Sequence, residues 1–357
     1  MVKNTVTILA AFFIAGTLSA QVTPPAGGTG DTVRASTLQP AQGGEINYNS
    51  GLANYAKGDY KTAVANFDQA IVLKPDFQQA YTSRANAKFK LKDYAGAVAD
   101  YTKATSLNPN DDKAWYGMGM VQNINGTKEQ AIDAFSKAIA ANSKSAESYF
   151  YRGEIKFQMK EYKDAMADFS AAVAIKPDYA DALNDMGSCK TELKDYKGAV
   201  ESYNQSIMVS KSAYTYNNMG SAQRKAGNND DAIASYSLAI ALKSDYYEAY
   251  NNRGTAKFNK GDYDGAIADF NKAIVLNSSY SVAYNNRATA EYKQKKYDDA
   301  KTDCDKAINL NPNYGYAYLN RGIAEEMMRK STDACSDWKK AASLGVTVAS
   351  EYSQDCQ

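Results

Sequence analysis

Residues 247–280 read YEAYNNRGTAKFNKGDYDGAIADFNKAIVLNSSY, and this stretch decides the fold because versions of it recur from Gly44 to about Val346. At a period close to 34 residues (Ala63 to Ala97, for instance) every copy carries alanine at one position: Ala63, Ala97, Ala131, Ala165, Ala199, Ala232, Ala266, Ala300 and Ala334. Four residues on stands a large ring, Phe67, Tyr101, Phe135, Phe169, Tyr203, Tyr236, Phe270 or Trp338, with Cys304 the exception. Twelve residues before each alanine lies Gly51, Ala85, Gly119, Gly153, Gly187, Gly220, Gly254, Ala288 or Gly322. Self-similarity at such a period is the signature of a repeat array. Small residues at fixed offsets, with rings between them, mean two amphipathic helices that approach closely at the small positions and fill the gap with the rings. Each copy is therefore a helical hairpin. In the quoted stretch the spacing predicts a first helix over 248–259, a turn at Lys260-Gly261-Asp262, and a second helix over 264–276. Gly261 takes positive φ where the first helix ends, and Asp262 caps the second.

This order of small residue, alanine, ring and alanine, closed by proline at Pro75, Pro109, Pro177 and Pro312, resembles the tetratricopeptide repeat proteins. The residue before the small position is Arg or Met in most copies where that family has Leu, and the family's next Tyr is displaced to Phe89, Phe157 and Phe258. The resemblance implies an all-α fold, a right-handed superhelical solenoid of antiparallel helix pairs. Nine repeats are expected, at 44–77, 78–111, 112–145, 146–179, 180–212, 213–246, 247–280, 281–314 and 315–346, followed by a capping helix within 347–357. It also implies that the outward face of each first helix lines a concave groove that holds peptide ligands. The two-carboxylate clamp of chaperone-binding members is not matched, so recognition of a free C-terminus is not implied.

Upstream of the array, residues 1–20 combine a lone Lys3, an apolar run from Val6 to Leu18 and small residues before Gln21. This is the pattern of a secretory signal cleaved after Ala20, and the run is too short for the ~20 residues of a membrane span. Residues 21–43, rich in Pro, Gly, Thr and Gln, lack the apolar surface to offset their ordering entropy and are expected to form a disordered linker. The mature protein is then exported, to the periplasm or outside the cell.

Charge and composition narrow the function. Lys and Arg number 41 against 40 Asp and Glu, so the array has no long-range field for nucleic acid or an anionic membrane. Histidine is absent. That removes the His general base, the Ser-His and Cys-His pairs and the His metal ligand. An enzyme is not expected, and no catalytic residue, metal or cofactor is assigned.

Of the four cysteines, Cys189 and Cys304 fall on apolar positions of the repeat and are expected to be buried thiols. Cys335 sits near the start of the last repeat's second helix. If that helix runs to Leu344 and Gly345 turns the chain into a final helix over 347–355, the return path brings Cys356 level with it. A Cys335–Cys356 disulfide is expected, worth ~3 kcal/mol in the chain-entropy model, pinning the cap over the last apolar face.

Five repeats carry Arg just before the small position, Arg84, Arg152, Arg253, Arg287 and Arg321, and the same five carry Asp sixteen residues later, Asp100, Asp168, Asp269, Asp303 and Asp337. The others have neither: Ser50 with Asn66, Met118 with Ala134, Met186 with Ser202, Met219 with Ser235. The two positions face each other across an antiparallel hairpin, so an Arg–Asp pair is expected to staple the two helices of a repeat.

The outward face changes along the array. Early repeats offer rings, Tyr48, Tyr55, Phe89, Tyr116, Phe150, Tyr151 and Phe157, and later repeats offer Asn217 and Asn218, Asn251 and Asn252, Asn285 and Asn286, then Asn320. A row of carboxamides along a groove can bond an extended backbone whatever its side chains. The expected function is a protein or peptide-binding scaffold of the cell envelope. The competing expectation is a glycan or cell-wall binding module that uses the Tyr-rich surface. Repeat five is one residue short and ends in Ser210-Lys211-Ser212, where an irregularity is expected.

Overall fold

The structure is a computed structural model, and it describes residues 40–354 and Cys356. The signal segment and residues 21–39 of the linker lie outside the described residues. Helices form consecutive hairpins: α1 (Pro40–Ala56) with α2 (Tyr60–Leu73), α3 (Gln78–Lys90) with α4 (Tyr94–Leu107), α5 (Asp112–Asn125) with α6 (Lys128–Ala141). They continue with α7 (Ala146–Gln158) and α8 (Tyr162–Ile175), α9 (Ala180–Glu192) and α10 (Tyr196–Val209), α11 (Ala213–Lys225) and α12 (Asn229–Leu242). Then come α13 (Tyr247–Asn259) and α14 (Tyr263–Leu276), α15 (Ser281–Lys293) and α16 (Tyr297–Leu310), α17 (Gly315–Met327) and α18 (Ser331–Ser343), and last α19 (Thr347–Gln354). Each helix packs on the one before and the one after it, a solenoid.

Local chemistry sets the hairpins. In the quoted stretch Gly261 has φ 84° and the Asp262 carboxylate accepts from the Gly265 N–H at 2.9 Å. Lys92, Lys160, Lys194, Lys295 and Arg329 hold positive φ at the equivalent turn without glycine. α1 begins at Pro40, four residues before the expected start of the array. Proline suits a first helical position, where its missing N–H has no intrahelical partner to lose.

The pairing of small residue and ring is a close approach. A Cβ added to Gly254 would stand 2.7 Å from Phe270 Cε1, and one added to Gly187 would stand 2.7 Å from Tyr203 Cε1. The rings are the bulk of the core: Phe67, Phe135, Phe169 and Tyr236 are completely buried. Cys189 and Cys304 are buried thiols, and burial above all pushes both above the ordinary thiol range.

First helices of successive hairpins contact one another, as α9 with α11, α11 with α13, α13 with α15 and α15 with α17, whereas second helices do not pack together at comparable closeness. The array therefore curves around its first helices, which form the inner, concave layer. At its end Cys335 and Cys356 are joined by a disulfide with Cα atoms 5.5 Å apart. It holds α19 over the last hairpin, where Ala349 is buried against Leu319 and Trp338, and Tyr352 lies 5.2 Å from the Trp338 ring.

The joint after α10 differs from the others. Elsewhere the residue before the next first helix is either aromatic, as when Phe77 packs 4.8 Å from Tyr48 and Tyr179 packs 4.8 Å from Phe150, or caps the helix with its side chain, as Asp111 and Ser145 do. Here Ser212 stands at that place with no side-chain cap bond. One hairpin earlier, between α8, α9 and α10, a crevice of about 330 Å³ is lined by Val173, Pro177, Leu183, Met208 and Val209.

Candidate concave binding surface

The five arginines are more than two-way staples. Arg253 donates from Nε and Nη2 to both oxygens of Asp269 at 2.9 and 2.7 Å, and from Nη1 to Ser237 Oγ of the preceding hairpin at 3.0 Å. Arg84 repeats this with Asp100 and Asp68, Arg152 with Asp168 and Ser136, and Arg321 with Asp337 and Asp305. Arg287 engages Asp303 and Asn271. Each guanidinium also lies over a tyrosine three residues earlier, 5.5 Å from Tyr250 in the case of Arg253. Lys88, Lys156 and Lys257 add a third leg to Asp100, Asp168 and Asp269 at 2.8 Å each. All five pairs face the helix interfaces. The sequence showed the own-repeat aspartate and missed the link to the preceding hairpin, although the polar residue sixteen positions before each arginine was its trace.

The asparagines need a correction. Asn217, Asn251 and Asn285 do not face the groove: they are buried, at 8, 4 and 5 % exposure. Curvature brings neighbouring first helices together, and this position points into that contact. Asn252 Nδ2 donates to Asn217 Oδ1 at 3.0 Å, Asn286 to Asn251 at 2.9 Å, and Asn320 to Asn285 at 2.9 Å. The series begins one repeat earlier than the sequence suggested, with Asn218 donating to Asn184 at 3.3 Å. These amide rungs tie one inner helix to the next. The same pair of positions is joined differently in the early repeats, by a 3.3 Å contact of the Tyr48 and Ser83 hydroxyls and by Tyr116 and Tyr151 with ring centroids 6.0 Å apart. Asn218, Asn252, Asn286 and Asn320 remain half-buried on the inner surface.

Several rings expected in the groove lie elsewhere. Tyr55, Phe89 and Phe157 fold over the first residue of the following helix, with centroids 5.2, 5.9 and 5.3 Å from Tyr60, Tyr94 and Tyr162. Phe150 is a core residue at 7 % exposure. The ring-rich start of the array is thus largely packing.

Two features remain on the inner face. Towards the C-terminal end a recess of about 260 Å³ lies between α15, α17 and α19, lined by Thr289, Tyr292, Lys293, Asn320, Ile323 and Tyr352. In α7 and α9 the carboxyls of Glu154, Asp181 and Asp185 lie near one another; burial first, then Asp185 and Asp181, holds Glu154 up at about 8, and burial holds Asp185 at about 7. Among the described residues no group of three His, Cys, Asp or Glu is placed to hold a metal ion, and no helix is long and apolar enough to cross a membrane.

This arrangement has counterparts. Tetratricopeptide repeat family models match residues 79–111, 247–280 and 281–314, then 125–180, and 180–212, and a TPR repeat model matches 51–92 and 220–261. Between them they take in well over half of the sequence, and the chain belongs to the tetratricopeptide repeat family. Among solved structures it is similar to a chain of the APC/C hetero-tetramer Cut9–Hcn1, at 13% identity over 87% of this chain and 76% of that one, TM-score 0.55. It is also similar to PilF of Pseudomonas aeruginosa, at 19% identity over 59% of this chain and 97% of that one, TM-score 0.51. YrrB, a TPR protein described as having an unusual peptide-binding site, aligns at 22% identity over 52% of this chain and 97% of that one, TM-score 0.43. Comparison with curated protein sequences finds no match. The first two likenesses are likenesses of fold, and membership of the family makes protein interaction the general role.

Proposed function

We propose that this protein is a non-enzymatic scaffold of the cell envelope that holds a protein, or an extended segment of one, along its concave face. The observation that carries the reading is the inner layer of first helices. Asn218, Asn252 and Asn286 stand there at successive repeats, each with one N–H spent on a rung. The rung fixes the carboxamide, so its own oxygen and other N–H are oriented in advance for a ligand backbone, which lowers the ordering cost of binding. The recess closed by Tyr352 offers a side-chain pocket at the end of that row. The signal segment read in the sequence supports export.

The test is site-specific photo-cross-linking in cells that make the protein, with the reactive residue at Thr289 on the inner face or at Val275, which is 76% exposed on an outer helix. Protein adducts from Thr289 and not from Val275 are expected. Adducts from Val275 alone would move the partner to the outer face. Absence of protein adducts from either, with retention on insoluble polysaccharide, would replace the reading with glycan binding.

A further inference from the structure

Four residues after the staple arginine, α3, α7 and α13 carry Lys88, Lys156 and Lys257, each bonded to the staple aspartate. In α15 and α17 the same position holds Glu291 and Glu325. Both side chains are largely buried, at 13 and 6% exposure, and the Oε2 atom of each is buried without a hydrogen-bond partner. Glu291 faces Asp303 and Asp299 of α16. On its own helix Arg287 lies at 3.9 Å, with Nε already given to Asp303 at 2.5 Å. Where α16 presents Lys301 to the next hairpin, α14 presents Ile267. Glu325 faces Asp337 and Asp333 of α18, Arg321 of its own helix, and Lys301 of α16 at 3.8 Å, an ammonium bonded to Asp305 at 2.9 Å.

A buried carboxylate beside another carboxylate, with one oxygen bare, costs more than the neutral acid, which can donate its proton to the neighbour. Burial first and Asp303 second hold the Glu291 carboxyl at about 7, and burial first and Asp337 second hold Glu325 at about 7.

We propose that the last two hairpins are a proton-sensitive end of the array, in which Glu291 and Glu325 are carboxylic acids while α15–α18 are tightly packed and their ionisation loosens that end. In the opened chain both groups ionise in the ordinary glutamate range, so the packed state binds more protons. The stability they confer is present below that range, declines as pH rises towards about 7, and changes no further above it. Opening of this end becomes easier by on the order of 50-fold per group between pH 5 and pH 8. The hairpins with lysine at this position lack this carboxyl, and any pH dependence in the middle of the array comes from Glu154 and Asp185, which the glutamine changes leave in place. The inner-face recess, formed by α15, α17 and α19, belongs to the responsive end.

The chain's two tryptophans allow a direct test. Trp115→Phe leaves Trp338, on α18, as the reporter of the last hairpin, and Trp338→Phe leaves Trp115, on α5. Urea melts of the full chain at pH 5, 6.5 and 8 are compared with and without Glu291→Gln and Glu325→Gln. The Trp338 midpoint is expected to fall as pH rises and to fall clearly less in the glutamine variant, the two proteins diverging at pH 8 and converging at pH 5. The Trp115 transition keeps one pH dependence in both. If the glutamine variant does not fold, Glu291→Lys, which installs the residue α13 has there, carries the same expectation. An identical pH slope of the Trp338 transition with and without the two carboxyls overturns the proposal.

Discussion

Changing Arg253 to Met removes two hydrogen bonds to Asp269, one to Ser237 and the contact with the Tyr250 ring, and strands a carboxylate that is 6% exposed. Breaking one side of such a buried pair costs about 3–5 kcal/mol, chiefly as the penalty of the uncompensated charge. Lys257 Nζ remains 2.8 Å from Asp269, which places the expected loss near the lower figure. Changing Asp269 to Ser at the same time removes the stranded charge and recreates what the chain itself uses in α9 and α10. There Met186 replaces the arginine, and Lys190 donates to Ser202 Oγ at 2.8 Å. The double variant should therefore lose only about 1–2 kcal/mol, the net worth of the lost neutral-equivalent hydrogen bonds. Urea unfolding followed by far-UV circular dichroism, on wild type, Arg253→Met, Asp269→Ser and the double variant, closes a double-mutant cycle. Equal losses in Arg253→Met and in the double variant would refute the argument, because the arginine would then act through packing alone and not through the charge it neutralises.

Two further outcomes follow from the geometry. Cys356→Ser should release α19 and lower the unfolding midpoint reported by Trp338 fluorescence, by up to ~3 kcal/mol for a loop of this length, with little change at Trp115. Lys92→Gly, at φ 62°, should raise stability by about 0.5–1 kcal/mol in thermal melts, since a left-handed conformation costs a lysine more than it costs glycine even after glycine's larger unfolded-state entropy.

The amino-acid sequence determined the framework of the hairpin unit, with helix ends placed to within a residue, but not where every ring of that unit packs. The period, the small residue facing a ring, Gly261 and Asp262 at the turn and the extents of α13 and α14 all follow from rules that act within about thirty residues, where helix periodicity and capping leave few alternatives. The Arg–Asp positions were legible for the same reason, since both lie in one hairpin. What only the tertiary structure decided involves the step from one hairpin to the next. Whether an asparagine on the outward face of a first helix meets a ligand or the neighbouring first helix depends on the curvature of the array, and curvature is the sum of many small inter-repeat contacts that no single repeat contains. Hence Asn251 and Asn285 turned out to be rungs, Asn184 joined them, and Nη1 of each staple arginine found its partner on the preceding hairpin. The two bare carboxyl oxygens at the end of the array lie within single hairpins, yet they too needed the structure: Glu291 and Glu325 look like ordinary surface glutamates in the sequence, and only side-chain packing against α16 and α18 removes their water.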